Sequence, residues 1–255
     1  MSHPSIAEVN AAFAARLRAG ETLLGAIVAL PCAEVAELFS RAGFDWLLID
    51  TEHAPLDALV AQGLLQAARC PCLVRVHAGE EAVIKKALDI GAAGVVVPQV
   101  NSAADAERIV GYCKYPPRGS RGVGIVRAQG YGLDFQEYVA GANDNVIVML
   151  QIEHIDAVNN IESIVRVPGV DALMIGPYDL SGSMGLLGQV NHPEVEQAIE
   201  TVRRACAAAG MKLAIFAATA EGMKPYIRKG YTLPIAGMDL MLLSAAARGM
   251  VQALK

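Results

Sequence analysis

The stretch Trp46–Pro55, WLLIDTEHAP, decides the fold class of this 255-residue sequence. It begins with four apolar residues, Trp46–Ile49, that no polar residue interrupts. Such a continuous run is typical of a strand buried on both faces of a parallel sheet. Polar residues follow from Asp50 to His53, and Pro55 introduces a helical pattern. The stretch therefore predicts a βα unit with chemically active groups at the carboxyl end of its strand.

Seven further apolar runs of this kind lie along the chain: Leu24–Leu30, Leu73–Val76, Gly94–Pro98, Val146–Ile152, Ala172–Gly176, Lys212–Phe216 and Thr232–Ala236. Helical patterns between them end at a glycine or before a proline: Glu34–Ala42, Leu56–Arg69, Glu81–Ile90, Ala103–Cys113 and Pro193–Ala209. Eight strands, each followed by a helix, predict an α/β protein with one (β/α)8 barrel domain over residues 1–255. An additional N-terminal helix is expected over about residues 5–19. A doubly wound sheet is the alternative, but no GxGxxG element follows an early strand.

The composition limits the function classes. With 54% hydrophobic and 18% charged residues, the chain has enough apolar surface to exclude a disordered protein. A net charge of −5 without a basic block gives no footprint for nucleic acid. No signal peptide and no apolar stretch of roughly 20 residues is found, so we expect no membrane span and a cytoplasmic location. The five cysteines form no CxxC motif, and we expect reduced thiols.

Two carboxylates end neighbouring predicted strands. Glu153 follows the fifth strand and Asp179 follows the sixth. Carboxylate oxygens at one end of a barrel can hold a divalent cation such as Mg2+ or Mn2+, with positions left for water and substrate. The alternative is that either residue merely caps the helix that follows it.

An arginine and a histidine stand out at other strand ends. Arg75 interrupts an apolar strand, where it either faces a developing oxyanion or serves as a structural partner of Asp50 or Glu52. His53 lies among polar residues and is a candidate general base, although a lone histidine is more often a surface or core residue. The remaining histidines lack this context. We expect surface or capping roles for His3 and His192, and positions near the site for His77 and His154.

Other catalytic classes lack their residues. A Schiff-base aldolase needs a lysine at a strand end, whereas Lys212 begins its strand and the other lysines fall on helices or loops. No GxSxG element or Cys–His pairing indicates acyl transfer. The long irregular segment Tyr115–Tyr131 contains glycines and arginines, which suggests an ordered loop near a site or a subunit contact.

Taken together, several motifs resemble those of one enzyme family. They are IDTEHAP, LVRV, KALDIGAAGVVVPQVNSAADAERIV, CKYPPRGSRGVG, QIEH and GVDALMIGPYDLSGSMG. In this order they are similar to the class II pyruvate aldolases of the 4-hydroxy-2-oxoheptanedioate aldolase (HpcH/HpaI) family, whose relatives include 2-keto-3-deoxy-sugar-acid aldolases and macrophomate synthase. The resemblance implies a modified TIM barrel of the phosphoenolpyruvate/pyruvate type, and a homohexamer with exchanged C-terminal helices.

The resemblance also implies roles for single residues. His53 would be the general base, Arg75 would stabilise the enolate oxygen, and Asp89 would raise the basicity of the histidine. Among the binding residues, Gln151 would contact substrate and Glu153 would bind the metal.

The GPYD segment completes the implied site. Asp179 would be the second metal ligand, and the backbone amides of Tyr178 and Asp179, after Gly176 and Pro177, would hold the carboxylate of pyruvate. The cofactor would be Mg2+, Mn2+ or Co2+, without an organic cofactor. The chain departs from the family pattern at three positions near the substrate: Val76 where Pro is frequent, Tyr178 where a small residue is common, and His154.

The function implied is reversible retro-aldol cleavage of a 4-hydroxy-2-oxo acid into pyruvate and an aldehyde. A first alternative is a Mg2+-dependent lyase of malyl-CoA type, in which three arginines would bind the phosphates of CoA: Arg118, Arg121 and Arg127. A second is an enolate-forming decarboxylase like macrophomate synthase. A third is a non-catalytic scaffold, which the complete set of strand-end residues disfavours.

Overall fold

The computed structural model describes residues 4–255, and this part of the chain forms eight parallel strands that close into a barrel in chain order. The strands are β1 (Gly25–Val28), β2 (Trp46–Asp50), β3 (Cys72–Arg75), β4 (Gly94–Val97), β5 (Ile147–Ile152), β6 (Ala172–Ile175), β7 (Lys212–Ala217) and β8 (Leu233–Met238). Each coincides with one predicted apolar run, with ends that differ by at most two residues. The prediction of a TIM-type barrel is confirmed.

Twelve α-helices surround or extend the barrel within the same residues: α1 (Ile6–Ala19), α2 (Ala33–Ala42), α3 (Ala58–Ala67), α4 (Glu81–Asp89), α5 (Ala103–Cys113), α6 (Phe135–Asn145), α7 (Ile155–Asn159), α8 (Ile161–Ile164), α9 (Pro177–Ser183), α10 (Pro193–Ala209), α11 (Ala220–Arg228) and α12 (Asp239–Leu254). Helix α3 is shorter than the predicted Leu56–Arg69 because Asp57 caps it: Asp57 Oδ1 accepts a hydrogen bond of 2.9 Å from the amide of Val60. His3 lies outside the described residues.

Alternation along the strands sorts their side chains between two apolar layers. One set faces the surrounding helices, and the other fills the barrel interior. On β2, Trp46 and Leu48 point inward, and the period of two places Asp50 on the same inner face. The polar residue at the end of an apolar run therefore enters the barrel at its carboxyl end.

Helix α1 closes the opposite end of the barrel. Phe13 and Leu17 from this helix pack in the inner layer with Trp46, whose indole Nε1 donates to Leu23 O at 3.0 Å. Gly25 makes room for the indole, because a Cβ at this position would lie 2.4 Å from a ring carbon of Trp46. The barrel is thus plugged at its amino-terminal end, and a ligand can enter only from the other end.

The segment Tyr115–Tyr131 is ordered and lies at the plugged end. Arg127 donates to Ile90 O at 2.9 Å and to Leu65 O at 3.2 Å, which ties the segment to the ends of α4 and α3. A 3-10 helix, Arg127–Gly132, then leads into α6. Along residues 4–255, no helix is both long and apolar enough to span a bilayer.

Candidate active site

Three polar side chains form a layer across the barrel interior at the carboxyl ends of the strands. Asp50 and Arg75 are direct partners in the register between β2 and β3, and Gln151 occupies the inward position on β5 above Met149. All three are buried. Because β2, β3 and β5 each carry a polar inward residue at or next to the carboxyl end, the top layer of the barrel is polar while the layers beneath it are apolar.

Arg75 is held by a carboxylate and keeps donors for a ligand. Its Nε donates to Asp50 Oδ1 at 3.0 Å and its Nη2 to Asp50 Oδ2 at 2.7 Å, while Nη1 lies 3.5 Å from Gln151 Oε1. A guanidinium has five N–H groups, so two of them have no acceptor within residues 4–255. The structural pairing with Asp50 and the oxyanion role are therefore compatible in one residue.

Glu153 is a buried carboxylate without a cationic partner in the described chain. It is 3% exposed, and its Oε1 accepts 2.7 Å from the amide of Gln99 while its Oε2 accepts from the Gln151 side chain. Gln99, whose amide makes this contact, adopts a left-handed φ of 57°. A backbone contribution of this kind leaves no signal in the sequence, where the end of the fourth strand is uncharged.

The segment after β6 approaches Glu153 closely. A Cβ at Gly176 would lie 3.1 Å from Glu153 Cβ and 3.4 Å from its Oε2, so only glycine fits without displacing the carboxylate. Pro177 begins α9, and the side chains of Tyr178 and Asp179 in its first turn are exposed. No side chain caps α9, so the capping alternative for Asp179 is not observed. The amides of Tyr178 and Asp179 have no acceptor among residues 4–255.

The donor set of Glu153 and Asp179 fits a hard divalent cation. Both supply carboxylate oxygens, and the buried charge of Glu153 lacks any basic side chain within 4.0 Å in the described part of the chain. No group of three or more His, Cys, Asp or Glu side chains placed to hold a metal occurs in residues 4–255. A cation here would take its remaining ligands from substrate and water.

His53 stands at the open edge of the polar layer. Its side chain is 61% exposed, and its Nε2 lies 3.6 Å from Glu52 Oε2. The same Glu52 oxygen is 3.3 Å from Arg75 Nε. Burial raises the pKa of the Glu52 carboxyl; Arg75 opposes this shift and the charge of Glu153 adds to it.

Asp89 is not brought to His53 within one chain. It is the last residue of α4, which runs back from the end of β3 to the start of β4, so it lies at the plugged end of the barrel. There it accepts 3.0 Å from Arg121, whose guanidinium is buried against the rings of Tyr115 and Tyr138. The structure therefore shows Asp89 in an ion pair far from the polar layer.

The three arginines considered for CoA lie at the same plugged end. Arg118 pairs with Asp144, Arg121 with Asp89, and Arg127 donates to main-chain carbonyls. Within one chain, none of these arginines faces the candidate site. A single chain therefore does not place basic side chains there for the phosphates of CoA.

Two of the other histidines cap helices. His192 Nδ1 accepts from the amide of Glu194 at the start of α10, and His154 Nδ1 accepts from the amide of Asp156 at the start of α7. His77 is exposed after β3. The prediction of a surface or capping role for His192 is confirmed.

Comparison with known proteins identifies the family. The model of the HpcH/HpaI aldolase/citrate lyase family matches residues 25–246, which is most of the chain. The chain belongs to the HpcH/HpaI aldolase/citrate lyase family. The prediction that it is a carbon–carbon lyase is confirmed by its aldolase relatives.

Two curated relatives and one crystal structure show the level of sequence identity and structural similarity within the family. The chain is 40% identical to hydroxypyruvate/pyruvate aldolase of Pseudomonas aeruginosa, over 92% of this chain and 90% of the relative. It is 39% identical to 2-dehydro-3,6-dideoxy-6-sulfogluconate aldolase of Pseudomonas putida, over 91% and 92%. An HpcH/HpaI aldolase/citrate lyase family protein from Burkholderia cenocepacia J2315 superposes with a TM-score of 0.91 at 36% identity, covering 96% of this chain and 99% of that one.

Proposed function

We propose that the protein is a divalent-metal-dependent aldolase that cleaves 4-hydroxy-2-oxo acids reversibly into pyruvate and an aldehyde. One observation carries the proposal: the buried guanidinium of Arg75 keeps two N–H groups without an acceptor in residues 4–255, and it is linked through Gln151 to the buried carboxylate of Glu153, which has no basic partner in the same residues. This arrangement provides positive charge for a developing oxyanion beside a place for a cation. The two curated aldolase relatives support it.

In the cleavage direction, His53 accepts the proton of the 4-hydroxyl group. The C3–C4 bond then breaks, its electron pair forms the C2–C3 double bond of the enolate of pyruvate, and the aldehyde leaves. Arg75 donates its two free N–H groups to the enolate oxygen, and protonation at C3 yields pyruvate. The exposed position of His53 at the open edge of the polar layer allows a substrate to reach it.

The substrate carboxylate would be held by the free amides of Tyr178 and Asp179, and Gln151 would contact the 2-oxo acid. Glu153 and Asp179 would hold Mg2+, Mn2+ or Co2+, and such a cation, when bound, supplies Lewis-acid stabilisation of negative charge on the substrate. The absence of a Cβ at Gly176 leaves the space that the Glu153 side chain occupies. We propose no organic cofactor.

The proposal is tested by a screen for pyruvate release. 4-Hydroxy-2-oxo acids of different length and charge are incubated with the EDTA-treated protein and each divalent metal in turn. One of them is 2-dehydro-3,6-dideoxy-6-sulfogluconate, after which the Pseudomonas putida relative is named. We expect activity only after metal is added, and no inhibition by free CoA. Full activity in EDTA would refute metal dependence, and competitive inhibition by CoA would support the acyl-CoA alternative.

We also propose a homo-oligomer, a hexamer in the form implied by the family, in the cytoplasm. Only Asp239 of α12 is buried, while apolar side chains along the rest of this helix are exposed: Leu240, Met241, Leu242, Leu243, Met250, Val251 and Leu254. A helix with apolar residues on all sides is stable in water when a partner covers it. Light scattering should give six times the 26.8 kDa of one chain, and a monomer would refute the proposal.

A further inference from the structure

Two cysteines flank Pro71 at the plugged end of the barrel, and the reaction described above gives them no role. Cys72 is the first residue of β3, and Cys70 precedes the strand by two residues. The residue before a proline favours an extended backbone, and alternate residues of an extended chain lie on the same face. The spacing therefore places both thiols on one side of the chain.

The two thiols are in contact with each other. A side-chain hydrogen bond joins Cys70 and Cys72, and Cys72 Sγ also lies 3.5 Å from Cys70 O. On its other side, Cys70 Sγ donates to Ser40 Oγ at 3.4 Å. Both cysteines are free thiols. Two thiols in contact can be joined by a disulfide after rotation about their side-chain bonds.

A cavity gives small molecules access to this pair. It has a volume of about 860 Å3, lies between α1 and the start of β3, and is lined by Cys70, Cys72 and Arg127. One water molecule takes about 30 Å3, so a small oxidant fits easily. Arg127 donates to main-chain carbonyls and forms no ion pair within residues 4–255, so its positive charge is available to a thiolate.

The surroundings divide the roles of the two thiols. The hydrogen bond with Cys72 lowers the pKa of the Cys70 thiol, and the contact with Ser40 adds to this effect while burial opposes it. The same hydrogen bond and burial raise the pKa of Cys72 well above its ordinary value, although Arg127 opposes the increase. Because the thiolate is the attacking form, Cys70 is the nucleophile and Cys72 is the thiol that reacts second.

The other three cysteines lack this combination of features. Cys113 and Cys206 are buried, and burial raises the pKa of each thiol to about 12. Cys32 is partly exposed, but its Sγ donates to Glu34 Oε2 at 3.1 Å and contacts no second cysteine. Buried structural cysteines are inert, whereas reactive ones are accessible and have a lowered pKa. Along residues 4–255, only the pair at positions 70 and 72 joins a reactive thiol to a second one.

We propose that Cys70 and Cys72 are a reversible oxidation site, which hydrogen peroxide converts into a disulfide. The Cys70 thiolate attacks one oxygen of the peroxide and the O–O bond breaks. Cys70 becomes a sulfenic acid, and the departing hydroxide takes up the proton that Cys70 had released. The Cys72 sulfur then attacks Cys70 Sγ, the S–O bond breaks, and the hydroxyl group leaves as water with the proton of Cys72. Two thiols and one peroxide give one disulfide and two water molecules, a two-electron oxidation of the sulfurs.

Mass spectrometry of tryptic peptides tests the proposal. Cleavage after Arg69 and Arg75 gives a peptide, Cys70–Arg75, that holds both thiols and no other cysteine. The folded protein is treated with hydrogen peroxide, denatured and alkylated before digestion. We expect this peptide to be two hydrogens lighter and to carry no alkyl group, and dithiothreitol should restore both alkylation sites. The peptide that contains Cys32 is the control and should remain alkylated at the same peroxide concentration.

Two variants separate the steps. Cys72→Ala keeps a small apolar side chain at the buried position and should leave Cys70 as a sulfenic acid that dimedone labels, whereas Cys70→Ala should leave Cys72 unlabelled. Two alkyl groups on the peptide after peroxide treatment, dimedone on Cys72, or a disulfide between two chains would each overturn the proposal. If Cys72→Ala fails to fold, the wild-type peptide still decides whether the disulfide forms. None of these measurements uses pyruvate release, so the outcome is independent of the proposed aldolase function.

Discussion

Substitution of Gly176 by alanine tests whether the position of Glu153 controls activity. The added Cβ would lie 3.1 Å from Glu153 Cβ, whereas carbon atoms make unstrained contacts at about 3.5 Å or more. The Glu153 side chain must therefore move by roughly 0.4 Å. A misplacement of about 1 Å at an active site costs about 100-fold, so a shift of this size should lower kcat/KM by roughly 5- to 10-fold.

Stability should change little in the same variant. Overpacking costs about 1 kcal/mol or more, but replacing glycine by alanine restricts the unfolded chain and offsets roughly 0.4–1 kcal/mol. Gly176 has a negative φ of −104°, which alanine tolerates. The signature expected is a loss of function in a protein that unfolds at nearly the wild-type denaturant concentration.

Steady-state pyruvate release and Mn2+ titration measure the effect. Because Glu153 is a proposed ligand, the Kd for Mn2+ should rise about 10-fold. Gly63→Ala on α3 is the control, since a Cβ there meets no atom within 4 Å. A folded Gly176→Ala protein with wild-type Mn2+ affinity and turnover would refute the assignment of Glu153 to the cation site.

Other perturbations address the remaining parts of the molecule. Arg75→Lys keeps the charge but loses the two-point pairing with Asp50, and should lower kcat by about 100-fold with Mn2+ affinity unchanged; a wild-type kcat would exclude Arg75 from the reaction. His53→Ala should reduce turnover by 100-fold or more, and retained turnover would exclude it as the base. Burial raises the pKa of the Cys113 thiol from 9.0 to about 12. The thiol of the unfolded chain therefore ionises first, so the contribution of Cys113 to the free energy of unfolding is fully present below pH 9 and is lost as the pH rises toward 12. In urea unfolding with a reductant, wild type should lose about 1.4 kcal/mol more than Cys113→Ala between pH 7 and pH 10, and equal losses would contradict the burial effect. Leu243→Glu on the exposed face of α12 should shift the mass in light scattering toward smaller species, and an unchanged mass would exclude that face from the interface.

Elements with weak local signals were not predicted from the sequence. Helix α11 contains Pro225, which lacks an amide hydrogen and usually ends a helical pattern. Helix α6 includes Gly141 and two asparagines, which have low helix propensity. Both form because the crossover between neighbouring parallel strands must be covered by a helix, so tertiary packing overrides local preference.

The role implied for Asp89 stays a prediction, because the described chain is a single subunit. The resemblance connects Asp89 to His53 by role, but α4 runs opposite to the strands and carries Asp89 to the plugged end. The direction of a βα crossover is enough to place Asp89 at that end, where its carboxylate forms an ion pair with Arg121. Glu52, next to His53 in the sequence, is the carboxylate that contacts the imidazole within the chain.

The sequence by itself determined the barrel, because eight continuous apolar runs can be buried on both faces only in a covered parallel sheet, and it marked the catalytic end, because inward polar residues terminate those runs. Only the tertiary structure decided which polar groups share a neighbourhood. The pairing of Asp50 with Arg75, the amide of Gln99 on Glu153 and the space left by Gly176 each join segments from different strands. Such contacts depend on barrel closure and strand register, which a local pattern does not encode.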